Sequence, residues 1–249
     1  MPPFPDYTAP EGLLAGRVIF ITGASAGIGR TAATTFARYG ATVLLHGRNA
    51  DKLAEVYDEI VAAGGPEPGI AALDLTTMTA DEVIELTHAM HDQYGRLDGL
   101  LHNAGLLGER VPLENYDPNL WDKVMHVNLT TVFQLTRSFM PLLRASEDAS
   151  IVLTSSGVGT KPRAYWGAYS VSKYALEGFG FLLADELGTT SNIRTNIVNP
   201  GGTRTDMRAA AYPAENPASL KTPDALMPLY LYLMGPDSKG VNGERFEPA

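Results

Sequence analysis

The 249-residue chain has no cysteine. That excludes disulfides, a thiolate nucleophile and any cysteine metal site, and it fits a reducing compartment. Long hydrophobic runs are missing too: no apolar stretch approaches the roughly 18 residues that a membrane span needs. Basic residues are in deficit, 19 Lys and Arg against 28 Asp and Glu, for a net charge of -9 with no basic run. The bulk field therefore opposes nucleic acid and anionic membranes as partners. The opening MPPFPDYTAPEG lacks the basic and apolar regions of a signal peptide. A cytoplasmic protein is expected. Residues 1–12 are expected to form an extended, Pro-rich leader able to drape over a neighbour, with residues 13–249 as a single domain.

What is present is an ordinary globular composition, 45% hydrophobic and 19% charged, long enough to bury a large core without staples. Short β-rich runs alternate with helical patterns. Strands are expected at 17–22, 41–46, 70–75, 98–103, 150–155 and 193–198, with a weak last strand in GERFEP, 243–248. Several are continuous apolar runs, as in parallel strands covered on both faces. Helices are expected at 28–39, 50–63, 79–94, 118–145 and 168–188, with Pro141 kinking or splitting the fourth. KTPDALMPLYLYLMG opens as a further helix, capped by Thr222, with an apolar face to bury, another subunit being one candidate to cover it. The alternation predicts an α/β domain with a doubly wound parallel sheet of about seven strands and helices on both faces.

TGASAGIG (22–29) follows the first expected strand and opens a helix. Gly23 lets the chain turn sharply; Gly27 and Gly29 omit Cβ atoms where a pyrophosphate and the neighbouring strand come close. The free N–H groups near Ile28 can face phosphate oxygens. A plain strand-to-helix turn is the competing reading. Gly47 and Arg48 lie 18 and 19 residues beyond Gly29. An NAD site wants an acid there for the ribose 2′-hydroxyl. Gly47 removes the carboxylate that would repel a 2′-phosphate, and Arg48 can fork onto one. The cofactor expected is therefore NADP rather than NAD, against the alternative of a solvated arginine.

YSVSK places Tyr169 and Lys173 four apart, on one helix face. Lowering a tyrosine pKa by about 3 units takes roughly 4 kcal/mol. One ammonium at about 4 Å supplies about that at an effective dielectric of 20. Ser155 and Ser156 end an expected strand, Asn103 ends another, and Asn128 interrupts an apolar helical stretch. His88 and His91 sit three apart, but a charged, solvated helix face explains them better than a metal, and no metal is expected.

With TGxxxGIG (22–29), Asp74, NAG (103–105), VN (127–128), SS (155–156), YxxxK (169–173) and NPG (199–201) in this order, the sequence resembles the short-chain dehydrogenase/reductase superfamily. The likeness runs from about 14 to 247, and stretches such as NPGGTRTDMRA look closer still to its bacterial YciK-like branch. The resemblance implies a Rossmann-type fold and an NADP-dependent oxidoreductase of carbonyl or secondary alcohol substrates. It implies Tyr169 as acid-base group, Lys173 binding the nicotinamide ribose, Ser156 holding the substrate oxygen and Asn128 anchoring a water beside Lys173. Cofactor contacts are implied for Gly23, Ser25, Gly27, Ile28, Gly29, Arg48, Asp74, Leu75, Asn103, Ala104, Gly105, Tyr169, Lys173, Pro200, Gly201, Thr203 and Thr205. Ala26 stands where many NADP-using relatives carry a basic residue, so that choice rests on Gly47 and Arg48. A homodimer or homotetramer is implied, with a lid over the substrate at 207–220. The rivals are an NADP-sensing binding protein without turnover and a structural partner in a larger complex.

Overall fold

Strand β1 (Val18–Thr22) is buried along its whole length, because it lies inside a sheet whose two faces are both covered by helices. In this computed structural model, residues 7–248 are described. Helix α1 (Gly27–Arg38) leads to β2 (Thr42–Gly47), α2 (Ala50–Ala62), β3 (Gly69–Ala72) and α3 (Ala80–Tyr94). Then come β4 (Gly99–His102), α4 (Pro118–Met125), α5 (Thr131–Arg144), β5 (Ala149–Thr154), α6 (Gly167–Gly188) and β6 (Ile193–Val198). The chain closes with α7 (Asp206–Ala211), α8 (Met227–Met234) and β7 (Arg245–Phe246). The described strands make one parallel sheet in the order β3-β2-β1-β4-β5-β6-β7.

Alternation along each strand sorts the core into two layers. Ile19, Ile21, Leu101 and Val152 face α1, α2 and α8; Phe20, Leu100, Ile151 and Leu153 face α3, α5 and α6. Strand order reverses between β1 and β4, which opens a crevice at their carboxyl ends, where such sheets bind ligands. The Thr22 hydroxyl bridges that switch, accepting from Asn103 N at 2.9 Å and Ala104 N at 3.0 Å.

Several boundaries differ from expectation. The 118–145 helix is interrupted, but at a π-helical turn, His126–Thr130, and α5 runs through Pro141. Only three residues of α5 follow Pro141, so little helix remains beyond the lost hydrogen bond to be redirected. β3 ends at Ala72 because Asp74 turns the chain, accepting from Thr76 N at 2.9 Å. Thr222 makes no capping bond; Pro223–Leu226 is a 3-10 turn and α8 starts at Met227. The apolar surface of α8 is buried in this chain's own core, with Tyr230 fully enclosed beneath β5, not against a second subunit. Part of the leader, residues 1–6, lies outside the described residues. Tyr7 packs edge-on against Tyr232 at 5.2 Å and bonds Asp237 at 2.8 Å, so residue 7 onward follows the chain's own α8.

Candidate active site

The N-terminus of α1 has no capping side chain and no acid in its first turn. By contrast α2, α3 and α4 are closed by Asn49, Thr79 and Asp117. The bare N–H groups of Gly27 and Ile28 therefore end at the crevice with their donors available. Gly23 turns at φ +70°, and a Cβ there would stand 3.1 Å from the Ala104 Cα. Gly27 is also left-handed, at φ +52°. A Cβ on Gly29 would run into the Gly23 carbonyl oxygen, so Gly29 lies behind the loop and sets its shape without lining the crevice.

The crevice has a volume of about 550 Å³, within the range of cofactor sites. From α1 and its loop come Gly23, Ser25, Gly27 and Ile28; from the end of β2, Gly47 and Arg48. Asp74 and Leu75 follow β3, and Asn103, Ala104 and Gly105 follow β4. Pro200, Gly201, Thr203 and Thr205 follow β6, and Ser156, Tyr169 and Lys173 face them. Arg48 is exposed at the rim and has no carboxylate within ion-pair distance among the described residues. Its charge helps hold the Asp74 carboxyl below its usual range, after the hydrogen bonds from Thr76. These features fit a phosphorylated dinucleotide: bare helical N–H groups for the pyrophosphate, glycines where side chains would collide, and a free guanidinium at the rim.

Tyr169 and Lys173 share the inner face of α6 and are both buried. Burial pushes the Tyr169 phenol above its ordinary value, while a hydrogen bond with Ser156 works the other way. Lys173 Nζ lies 5.7 Å from the Tyr169 ring centroid and donates to the Thr154 carbonyl at 2.8 Å. Burial lowers its pKa to about 8, with Glu177 opposing. The four-residue spacing predicts an ammonium about 4 Å from the phenol; instead the lysine is turned to a strand-end carbonyl and desolvated, so burial governs the tyrosine.

Asn128 sits on the π-helical turn behind the crevice and does not line it. Its Oδ1 accepts from Leu106 N at 2.7 Å, and its Nδ2 donates to Leu106 O and Ser172 Oγ, each at 3.0 Å. The extra residue of the π turn aims the amide across to the loop after β4, binding that loop to α6. Asn103 likewise works on the glycine loop, donating to Thr22 O at 3.3 Å.

Other residues gather at this site beyond those given a role from the sequence. Ser155 donates to the buried Glu177 at 2.6 Å, and Arg245 of β7 donates to the same carboxylate at 3.0 Å. Glu177 lies four residues beyond Lys173 on α6, a spacing that could have signalled it. Trp166, Arg208 and Tyr212 line the far end with Met207 and Ala211 of α7. His46 also reaches the crevice wall; burial drops its pKa to about 4, and its ring nitrogens have no hydrogen-bond partner among the described residues.

Residues 17–216 match the family model described as short chain dehydrogenase. The chain is 50% identical to the uncharacterised oxidoreductase YciK of Escherichia coli K12, over 97% of this chain and 95% of YciK. It superposes on the structure of an oxidoreductase, YciK from E. coli, with TM-score 0.94 at 49% identity, covering 98% of this chain and 99% of that one. A Shigella flexneri structure described as a short chain dehydrogenase complexed with NADP gives TM-score 0.93 at 49% identity, covering 96% and 99%. One from E. coli CFT073, complexed with NADPH, gives 0.93 at 50% over the same shares.

Proposed function

Since the chain belongs to the short chain dehydrogenase family, we propose that it is an NADP-dependent oxidoreductase of small carbonyl compounds or secondary alcohols, with Tyr169 as its acid-base group. The carrying observation is the meeting of a buried phenol, a serine hydroxyl and a buried lysine at the end of a crevice whose other end offers a bare helix N-terminus and Arg48. The NADP and NADPH complexes of the Shigella and E. coli relatives support the cofactor choice. Bound there, the nicotinamide supplies or takes the hydride.

The remaining chemistry belongs to side chains. Ser156 holds the substrate oxygen beside Tyr169. The raised phenol pKa keeps Tyr169 protonated near neutrality, ready to donate in the reductive direction. Lys173, charged below about pH 8, then stabilises the phenolate left behind. Asn128 holds the loop after β4 against α6 and so fixes one wall. Residues 13–249 act as one domain in this reading. Phe133, Phe181 and Leu182 are about half exposed on α5 and α6, and pairing of these faces between two copies would cover them. The purified chain should consume NADPH with at least part of a panel of ketones and aldehydes; no turnover across the panel, with NADPH bound, would leave a cofactor-binding protein instead.

A further inference from the structure

The end of the crevice beyond Tyr169 is walled by an apolar cluster that belongs to neither layer of the core. Leu107 from the loop after β4, Val158 from the turn after β5, Trp166 ahead of α6, and Ala211 and Tyr212 at the end of α7 pack around Tyr169. Trp166 lies between Tyr169 and Tyr212, with ring centroids 5.8 Å from each. Leu107, Trp166, Ala211 and Tyr212 line the crevice, and Met207 beside them is exposed. Four separate segments thus bring apolar side chains to an open cavity, which suits an apolar occupant.

The cations at this end are cancelled or turned away. Arg208 of α7 lines the crevice, and its guanidinium lies 3.8 Å over the Tyr212 ring. Glu215 accepts from it twice at 2.6 Å, Nε to Oε2 and Nη2 to Oε1, the bidentate fork that pairs most strongly. Glu215 does not itself line the crevice, so Arg208 reaches the cavity with its charge already balanced. The pairing holds the arginine pKa up and the Glu215 carboxyl below its usual range, so both stay charged and matched near neutrality. Arg204 also lines the crevice, but donates to the carbonyls of Pro217 and Leu220, at 2.8 and 3.4 Å. Lys173 donates to Thr154 O. Arg110 and Arg163 are exposed, and neither lines the crevice. Asp206, which does line it, opens α7 and opposes an anion. An anionic substrate would therefore lose hydration here without meeting an unpaired cation.

We propose that this end of the crevice takes an uncharged carbonyl compound with an apolar or aromatic body, and that Glu215 sets the preference by keeping Arg208 paired. The body lies against Leu107, Trp166, Met207 and Tyr212 while the carbonyl meets Ser156 and Tyr169. The assignment deepens the oxidoreductase reading and rests on it for the reacting carbonyl. Fastening α7 to the turn that follows it is the plainer account of the Arg208–Glu215 pair. Under that account, loosening the pair changes the binding of neutral and anionic compounds alike; under the specificity role it changes their ratio.

Binding is read by calorimetry on the full chain saturated with tetrahydro-NADPH, a reduced cofactor analogue with no hydride to transfer. Methyl benzoylformate is titrated against benzoylformate, and 4-phenyl-2-butanone against 2-butanone. The neutral ester should bind about tenfold or more tighter than the anion, the scale of one charged group left without a partner. The phenyl group should tighten binding about tenfold or more, as burial of that much apolar area does. Glu215→Gln keeps the side-chain length and one acceptor oxygen but frees the Arg208 charge. Benzoylformate should then gain about tenfold while the ester changes little, and adding Arg208→Gln should abolish the gain. Benzoylformate binding as tightly as its ester, no gain from the phenyl group, no binding by either neutral aromatic compound, or an unchanged ester-to-anion ratio in Glu215→Gln would each overturn the proposal. Selective binding of the neutral aromatic compounds with no NADPH consumption would uphold this site and sink the reductase reading. Turnover of the panel with no such selectivity would do the reverse.

Discussion

The two ends of the crevice are built from different materials. The phosphate end is backbone: bare N–H groups of α1, and glycines at 23, 27 and 29 where a Cβ would collide or φ is positive. The substrate end is side chain: Trp166 ahead of α6, Leu107 from the loop after β4, and Met207, Arg208 and Tyr212 at α7. Backbone sites demand particular residues at fixed spacing, because only glycine tolerates those approaches. Side-chain sites assembled from distant loops carry no spacing at all. Tyr169 stands where the ends meet.

The largest expected effect comes from breaking that junction. Tyr169→Phe keeps the ring and removes the proton donor, so turnover should fall by roughly two to four orders of magnitude. NADPH affinity should change little, since the phosphate end is untouched. Parallel steady-state kinetics and cofactor titration check both halves; near-normal turnover would remove Tyr169 from its role.

This contrast also explains how much was legible beforehand. The sheet, its helices and the glycine loop follow from apolar runs, strand-helix alternation and TGASAGIG. Tyr169 and Lys173 were visible as a helical pair, although their balance was not. The lysine turns to Thr154 O and is desolvated, which no spacing reports. Pro141 drew attention to the wrong part of the 118–145 helix. The break falls at His126–Thr130, where Asn128 reaches over to Leu106, a pairing across 22 residues that local pattern does not encode. The alanines and prolines of 207–220 carry no ligand signal; Tyr212 and Arg208 acquire meaning beside Trp166, far off in the chain.

Acid should separate folding from binding next. His46 and His102 are buried beside the sheet, with pKa values lowered by burial to about 4 and about 3, from an ordinary 6.5. The unfolded chain therefore binds more protons than the folded one below about pH 6.5, and stability is lost as pH falls from there towards 4 and 3. At 1.36 kcal/mol per unit, these shifts correspond to about 3 kcal/mol at His46 and about 5 kcal/mol at His102. Urea titrations of wild type and His46→Phe across pH 4 to 7 should show a shallower acid loss in the variant; parallel curves would contradict the assignment.

A smaller and more local pH effect belongs to the junction. With the Lys173 pKa lowered to about 8, its ammonium is present below that pH and lost above it. Reductive kcat should therefore decline as pH rises through about 8. A flat profile from pH 7 to 9, with the cofactor saturating, would show that Lys173 does not support Tyr169 by its charge.

The phosphate end has its own discriminating change. Gly47→Asp should swing preference toward NADH by adding acceptors for a free ribose hydroxyl and repelling a phosphate. A Cβ at Gly47 would stand 3.3 Å from Leu53 Cδ2 and 3.4 Å from Ser25 Oγ, so a small shift of those side chains accompanies it. Retention of the wild-type preference would contradict the role given to Gly47.

Equilibrium titration of NADPH and NADH against wild type and Arg48→Ala tests the central claim most directly, that a backbone cradle and one rim arginine select the cofactor independently of the substrate end. Loss of a charge-assisted contact worth about 1.5–3 kcal/mol should weaken NADPH roughly tenfold to hundredfold and leave NADH nearly unchanged. Equal losses for both cofactors, or no loss for either, would contradict it.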